Sequence, residues 1–157
     1  MATRIPVVEV DGELQRLQPG DDIDTGGFTF SRTYTSTAVI GQVVYADGNG
    51  SVDLAQANAD ATSKIVGLAS AGVTAAASGP VQFAGVLTAT TGEWDAVAGT
   101  TGGLTAGLKY YLSDTAAGNL LEAGNLGGIT QGEYMVEVGR ALSTTELLVE
   151  PKRRILR

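Results

Sequence analysis

The sequence predicts an all-β fold: a small β-barrel or β-sandwich with an extended N-terminal arm and a short basic C-terminal tail. Three observations carry this. Helical periodicity is nearly absent. Short apolar runs are separated by glycine-bearing turns such as Asp11-Gly12, Asp47-Gly48-Asn49-Gly50, Gly102-Gly103, Gly118-Asn119 and Gly127-Gly128. Gly, Ala and Thr supply 61 of the 157 residues, with no Gly-X-Y period that would mean collagen. A chain of this length is one domain, with or without arms, and buries enough surface to fold without a disulfide or metal.

Residues 1–36 read as the arm. Val7-Val8-Glu9-Val10 and Glu13-Leu14-Gln15 flank Asp11-Gly12, a strong hairpin-turn pair. Pro19-Gly20-Asp21-Asp22 then breaks the chain. From Phe28 to Thr37 large and small residues alternate, with Phe28, Phe30, Arg32 and Tyr34 on one side. This stretch has too little apolar content for a core of its own and must lie on something else.

The body spans 37–150. Ala38–Ala46 is apolar on both faces, as a buried strand is, and Ser51–Leu54 pairs back on it across the Asp47–Gly50 turn. Further strands are expected at Lys64–Ala69, Val81–Thr88, Leu108–Leu112, Asn119–Glu122, Tyr134–Ala141 and Thr145–Val149. Ala55–Ala61 fits either a helical turn or an alternating strand. Pro151 ends the last strand, because proline cannot donate to a ladder. The tail is 151–157.

Two halves of the body resemble each other. Tyr45 and its hairpin match Tyr111 and its hairpin at an offset of 66, and Val66-Gly67-Leu68-Ala69 matches Val138-Gly139-Arg140-Ala141 at an offset of 72. Each half reads as a hairpin, a connector and a V-G-x-A strand.

The chain has neither Cys nor His, which removes thiol nucleophiles, Ser-His devices and the usual zinc ligands. No cofactor or metal is called for. Asp47, Asn49, Ser51 and Asp53 alternate as in a calcium loop, but Val52 and Asn58 stand where Gly and Glu belong, so a hairpin turn is the reading. Asn49-Gly50-Ser51 fits a glycosylation sequon but comes with no secretory signal. Gly99–Gly103 lacks the Lys-Ser/Thr of a phosphate loop. Glu93 and Asp95 flank Trp94, the single tryptophan. A glycosidase would need such a pair in an aromatic-lined cleft, and nine aromatics in the chain are few for that. The pair reads as the polar face of a turn anchored by Trp94, which is also a candidate interface anchor. The chain is expected not to be an enzyme.

Net charge is −7, and the charge is unevenly spread. Lys152, Arg153, Arg154 and Arg157 fall in the last six positions, while Glu9–Asp24 holds six acids against one base, Arg16. An acidic body is repelled by phosphate, so no nucleic acid is expected as a partner. The tail is expected to dock on an acidic protein surface, since Ile155-Leu156 within it is not what a solvated terminus needs. No membrane partner is expected: no apolar run approaches the roughly 20 residues of a span.

The phrases GQVVYADGNGSVDLA, KIVGLASAG, GLTAGLKYYLSD and VEVGRALSTTELLVEP resemble small virion proteins of tailed bacteriophages, above all capsid decoration (cement) proteins. The opening IPVVEVDGELQRLQPGDDID looks like the short leader before such modules. Related modules occur in phage fibres and tail appendages, which gives the alternative of an appendage subunit with a receptor-binding or adaptor role. The resemblance implies a β module on the capsid surface of the virion. Its partners would be the major capsid protein and neighbouring copies of itself, often as a homotrimer. Partner contact is expected at Phe28, Phe30, Tyr34, Trp94, Lys152, Arg153 and Arg154.

Overall fold

The computed structural model describes residues 27–157 and, for the backbone alone, residues 7–10 and 13–16. Strands β1 (Val7–Val10) and β2 (Glu13–Arg16) pair antiparallel with Val10 opposite Glu13. Only two residues connect them, the connection that Asp-Gly favours. The remaining expectations for residues 1–26 lie outside the described residues.

The rest is predominantly β, a curled antiparallel sheet forming a half-barrel. Its strands in chain order are β3 (Phe28–Thr33), β4 (Val43–Ala46), β5 (Val52–Leu54), β6 (Ile65–Ala69) and β7 (Ser78–Thr88). After helix α1 (Thr91–Ala98) come β8 (Lys109–Leu112), β9 (Leu120–Glu122), β10 (Tyr134–Met135), β11 (Glu137–Ala141), β12 (Glu146–Val149) and β13 (Ile155–Leu156). Across the main sheet the order is β5-β4-β6-β7-β12-β11-β8-β9, and β3 also lies on β7.

That order reads as two copies of one arrangement meeting at β7 and β12. The strand registers repeat at the offsets visible in the sequence. Val44 faces Gly67 and Tyr45 faces Ile65, while Tyr110 faces Gly139 and Tyr111 faces Glu137. Each half has a register shift at the same place, across Val66 in one and Val138 in the other. The hairpin partners Tyr45–Asp53 and Tyr111–Leu121 also correspond. Backbone bonds outside the ladders follow suit. Gly41 N–H donates to Ala69 O and Gly107 N–H to Ala141 O, both at 2.8 Å. Both glycines have positive φ, +87° and +83°, a conformation costly for any residue with a Cβ.

β7 is long enough to serve both halves. Ser78–Ala84 pairs with β3, and Gly85–Thr88 pairs with β12. At the junction Gly85 has φ +88°, and a Cβ there would lie 2.5 Å from the Gly27 Cα. The larger core cluster includes Trp94, Leu104, Tyr110, Leu112, Leu120 and Leu147, and the smaller one includes Tyr34, Val44, Val52, Ala69 and Val81. Val43 belongs to the first and Val44 to the second. This explains the run of apolar residues on both faces of β4.

Several elements differ from expectation. The segment from Ala38 is not one strand: the left-handed Gly41 interrupts it, so β4 begins at Val43. Ala55–Ala61 is not a strand: it runs into turns, and Ser63 N–H closes one helical turn on Ala59 O at 3.1 Å. Tyr134–Ala141 is divided between β10 and β11. Helix α1 occupies the stretch read as a turn. Thr90 Oγ1 accepts from Glu93 N–H and the Glu93 carboxylate accepts from Thr90 N–H at 2.7 Å, a full capping box. Gly99, at φ +64°, ends the helix.

Candidate interaction surface

The chain's three phenylalanines gather at one place on the sheet. Phe28 and Phe30 alternate along β3, and Phe83 comes from β7. The Phe28–Phe83 and Phe30–Phe83 ring centroids are 5.9 and 5.8 Å apart, tilted by 34° and 42°, within the favoured range for aromatic pairs. The Arg32 guanidinium lies 5.2 Å from the Phe30 ring centroid, close enough for cation–π attraction. Phe28 is 69% exposed and Phe83 43%, while Phe30 is half-buried and packs against the smaller core cluster.

A register shift lies beside this arrangement. Phe28 faces Ala84, but the next residue, Thr29, faces Gln82, so Phe83 is the extra residue of a bulge. Phe30 faces Val81 across the ladder, so Phe28, Phe30 and Val81 share a face, and Phe83 joins the two rings there. Sequence reasoning passed over Phe83 because it sits in Val81–Thr88, a run read simply as a further strand. The neighbouring Gly85 was the available sign of irregularity.

β3 is also an edge. β7 pairs with one side of Phe28–Thr33, and among the described residues no strand pairs with the other. Only past its end does the chain meet β5, through a parallel Tyr34–Val52 bridge and a 2.8 Å bond from Thr35 N–H to Val52 O. Between these diverging edges lies a groove of about 290 Å³, lined by Phe30, Arg32, Gly50, Val52 and Val66. An exposed aromatic ladder beside an open strand edge offers a partner both apolar area and backbone hydrogen bonds.

The other expected contact residues lie elsewhere. Tyr34 is fully buried in the smaller cluster. Its hydroxyl donates to Pro80 O at 2.9 Å, and burial pushes its pKa up to about 12. Trp94 is fully buried in the larger cluster and its Nε1–H donates to Thr145 O at 3.0 Å. A Cβ on Gly41 would come within 2.8 Å of its ring. Both side chains hold the body together rather than meeting solvent.

The tail folds onto its own body. β13 pairs with β10. Arg154 donates to Asp60 O at 2.7 Å and Ser63 Oγ at 3.0 Å, forms an ion pair with the Asp60 carboxylate at 2.7 Å, and covers the Tyr134 ring at 5.0 Å. Arg157 donates to the carbonyls of Leu126 and Ile129. Lys152 pairs with Glu150 at 2.8 Å. Of the tail's cations, Arg154 thus pairs with Asp60 and Lys152 with Glu150 of the same chain.

The carboxylates with catalytic-looking spacing have structural partners. Asp95 accepts from Gly103 N–H at 2.8 Å, Gly102 N–H at 3.0 Å and Thr100 Oγ1 at 2.9 Å, which lowers its pKa, Gly103 contributing most. Glu93 closes the capping box, and Thr90 N–H lowers its pKa. Asp47 Oδ1 accepts from Asn49 N–H and Ser51 N–H, and Oδ2 accepts from the Thr35 hydroxyl. It organises the hairpin turn. Ser113 does the same at the equivalent turn, accepting from Thr115 and Ala116 N–H.

No protein-family model matches the chain, and no curated protein matches it.

Proposed function

We propose that this chain is a structural protein of a tailed-bacteriophage virion, bound to the outside of the capsid and stabilising the shell through contacts between subunits. In this reading the half-barrel is a small β-barrel body, with residues before it serving as an extended arm. The phrases resembling decoration proteins support the assignment. The observation that carries it is the exposed Phe28–Phe83 pair, stacked beside the half-buried Phe30, on the open edge of β3. Large exposed aromatics in a cluster are costly to leave in water and mark contact surfaces. Burying an exposed Phe contributes roughly 1.5–3 kcal/mol. A protein that meets the shell with such a surface stabilises the assembled state by mass action.

The test is the copy number of this chain in purified particles, by quantitative gel against the major capsid protein. A count comparable to the capsid subunit supports a lattice-wide position. A handful of copies overturns it in favour of a vertex, tail or fibre site.

A further inference from the structure

A second surface feature lies away from the aromatic ladder. Between the Ser63–Ile65 segment and the tail is an open cleft of about 360 Å³. Its walls carry Lys64, Lys152, Arg153 and Arg154, its apolar floor includes Ile65 and Val136, and among the described residues no acid lines it. Asp60 holds Lys64 and Arg154 from the rim, and Glu150 holds Lys152. Arg153 is exposed and makes no ion pair or hydrogen bond among the described residues. Four cations against two rim acids leave the cleft positive in a chain whose net charge is −7.

The chain itself supplies a matching segment. Between Arg16 and Gly27 lie Asp21, Asp22 and Asp24, no base, and the apolar Leu17 and Ile23. The point where this segment joins the body is close to the cleft. Gly27 rests against Gly85. Gly85 faces Val149 in the β7–β12 ladder, and Pro151, on the cleft wall, is two residues further on. Asp24 is three residues from Gly27, a reach of about 10 Å, and Asp21 is six, about 20 Å. A tether this short raises the local concentration of the acids to about the millimolar range.

We propose that the cleft is an intramolecular docking site for the acidic stretch Asp21–Asp24 of the same chain, held by Arg153 and Lys152 over the apolar floor. Each ion pair is weak alone and screened by salt; proximity makes them sum.

Zero-length carbodiimide crosslinking of the full chain, followed by mass spectrometry, tests this. Lys64, Lys109 and Lys152 are the only lysines. Two are in the cleft, and Lys109, held by Glu137 at 2.9 Å, is an internal control. The reaction is run on an equal mixture of ¹⁴N- and ¹⁵N-labelled protein. The expected result is amide links from Asp21, Asp22 or Asp24 to Lys64 or Lys152, in same-isotope pairs. Their yield should fall about threefold or more between about 0.05 M and about 0.5 M salt, and in Arg153→Glu with unchanged circular dichroism. Mixed-isotope links, which would make a second copy the occupant, overturn the proposal. So do links to Lys109 alone, or no links.

Discussion

Gly67 and Gly139 stand at equivalent points of the two halves, each pressed against a carbonyl of the neighbouring strand. A Cβ on Gly67 would lie 2.4 Å from Gln82 O, and one on Gly139 would lie 2.2 Å from Leu148 O. Backbone cannot retreat as a flexible side chain can. The shared V-G-x-A phrase is therefore the imprint of two equivalent strand contacts.

Alanine at either position should destabilise the fold. Overpacking costs about 1–3 kcal/mol, and in a chain of this size each kcal/mol shifts the melting temperature by about 2–4 °C. Gly139→Ala and Gly67→Ala should each melt several degrees lower. Gly124→Ala, where nothing lies within 4 Å of the added Cβ, is the control. A Gly139→Ala protein melting with the wild type would remove this account of the repeat.

The exposed aromatics should matter more for binding than for folding. Phe28→Ser combined with Phe83→Ser removes two ring pairs and should cost about 1–3 kcal/mol of stability, leaving the protein folded. It should weaken co-sedimentation with undecorated capsid shells by about 10²–10⁴-fold, the equivalent of losing two buried phenyl rings. Trp94→Ala is the converse: it should cost about 3–5 kcal/mol of fold stability. Undiminished shell binding by the double Phe variant would show that the contact lies elsewhere.

Tyr34 should make the fold sensitive to alkali. Its folded pKa is raised to about 12 from 10.0 because burial disfavours the phenolate. The unfolded chain releases this proton first. The contribution is therefore intact below pH 10 and lost as the pH rises from 10 to 12. Denaturant midpoints measured over that window should fall in the wild type and fall less steeply in Tyr34→Phe. Parallel curves would assign the alkaline loss to other groups.

Asp95 and Glu93 should act on the acid side. Both folded pKa values are lowered, Asp95 chiefly by Gly103 N–H and Glu93 chiefly by Thr90 N–H. Their contributions are present above the unfolded values, 3.8 and 4.5, and fade as the pH falls through the lower folded ones. Asp95→Asn should thus melt below wild type at pH 7, with the gap narrowing below about pH 4. A gap independent of pH would mean that the amide loses shape complementarity rather than charge.

What the sequence by itself determined is the β class, most strand positions, the Asp11-Gly12 hairpin connection and the internal repeat. These are local: turn chemistry and two-residue alternation act over neighbouring positions, and the repeat offsets reappear in the strand registers. Phe28 and Phe30 were likewise legible as residues sharing one side of an alternating strand. The capping box Thr90-x-x-Glu93 was also written there, though the short helix it starts has too little apolar periodicity to stand out. The tertiary structure alone decided the rest. Tyr34 shares its alternation with Phe28 and Phe30, yet it is covered because the chain beyond β3 meets β5 at Val52. Trp94 is interior because the helix folds onto the larger core. Phe83 joins the Phe28 and Phe30 rings because β7 pairs with a strand some fifty residues earlier. The basic tail finds Asp60 across ninety residues of chain. Local pattern sets which face a side chain can take, while long-range pairing sets what lies over that face.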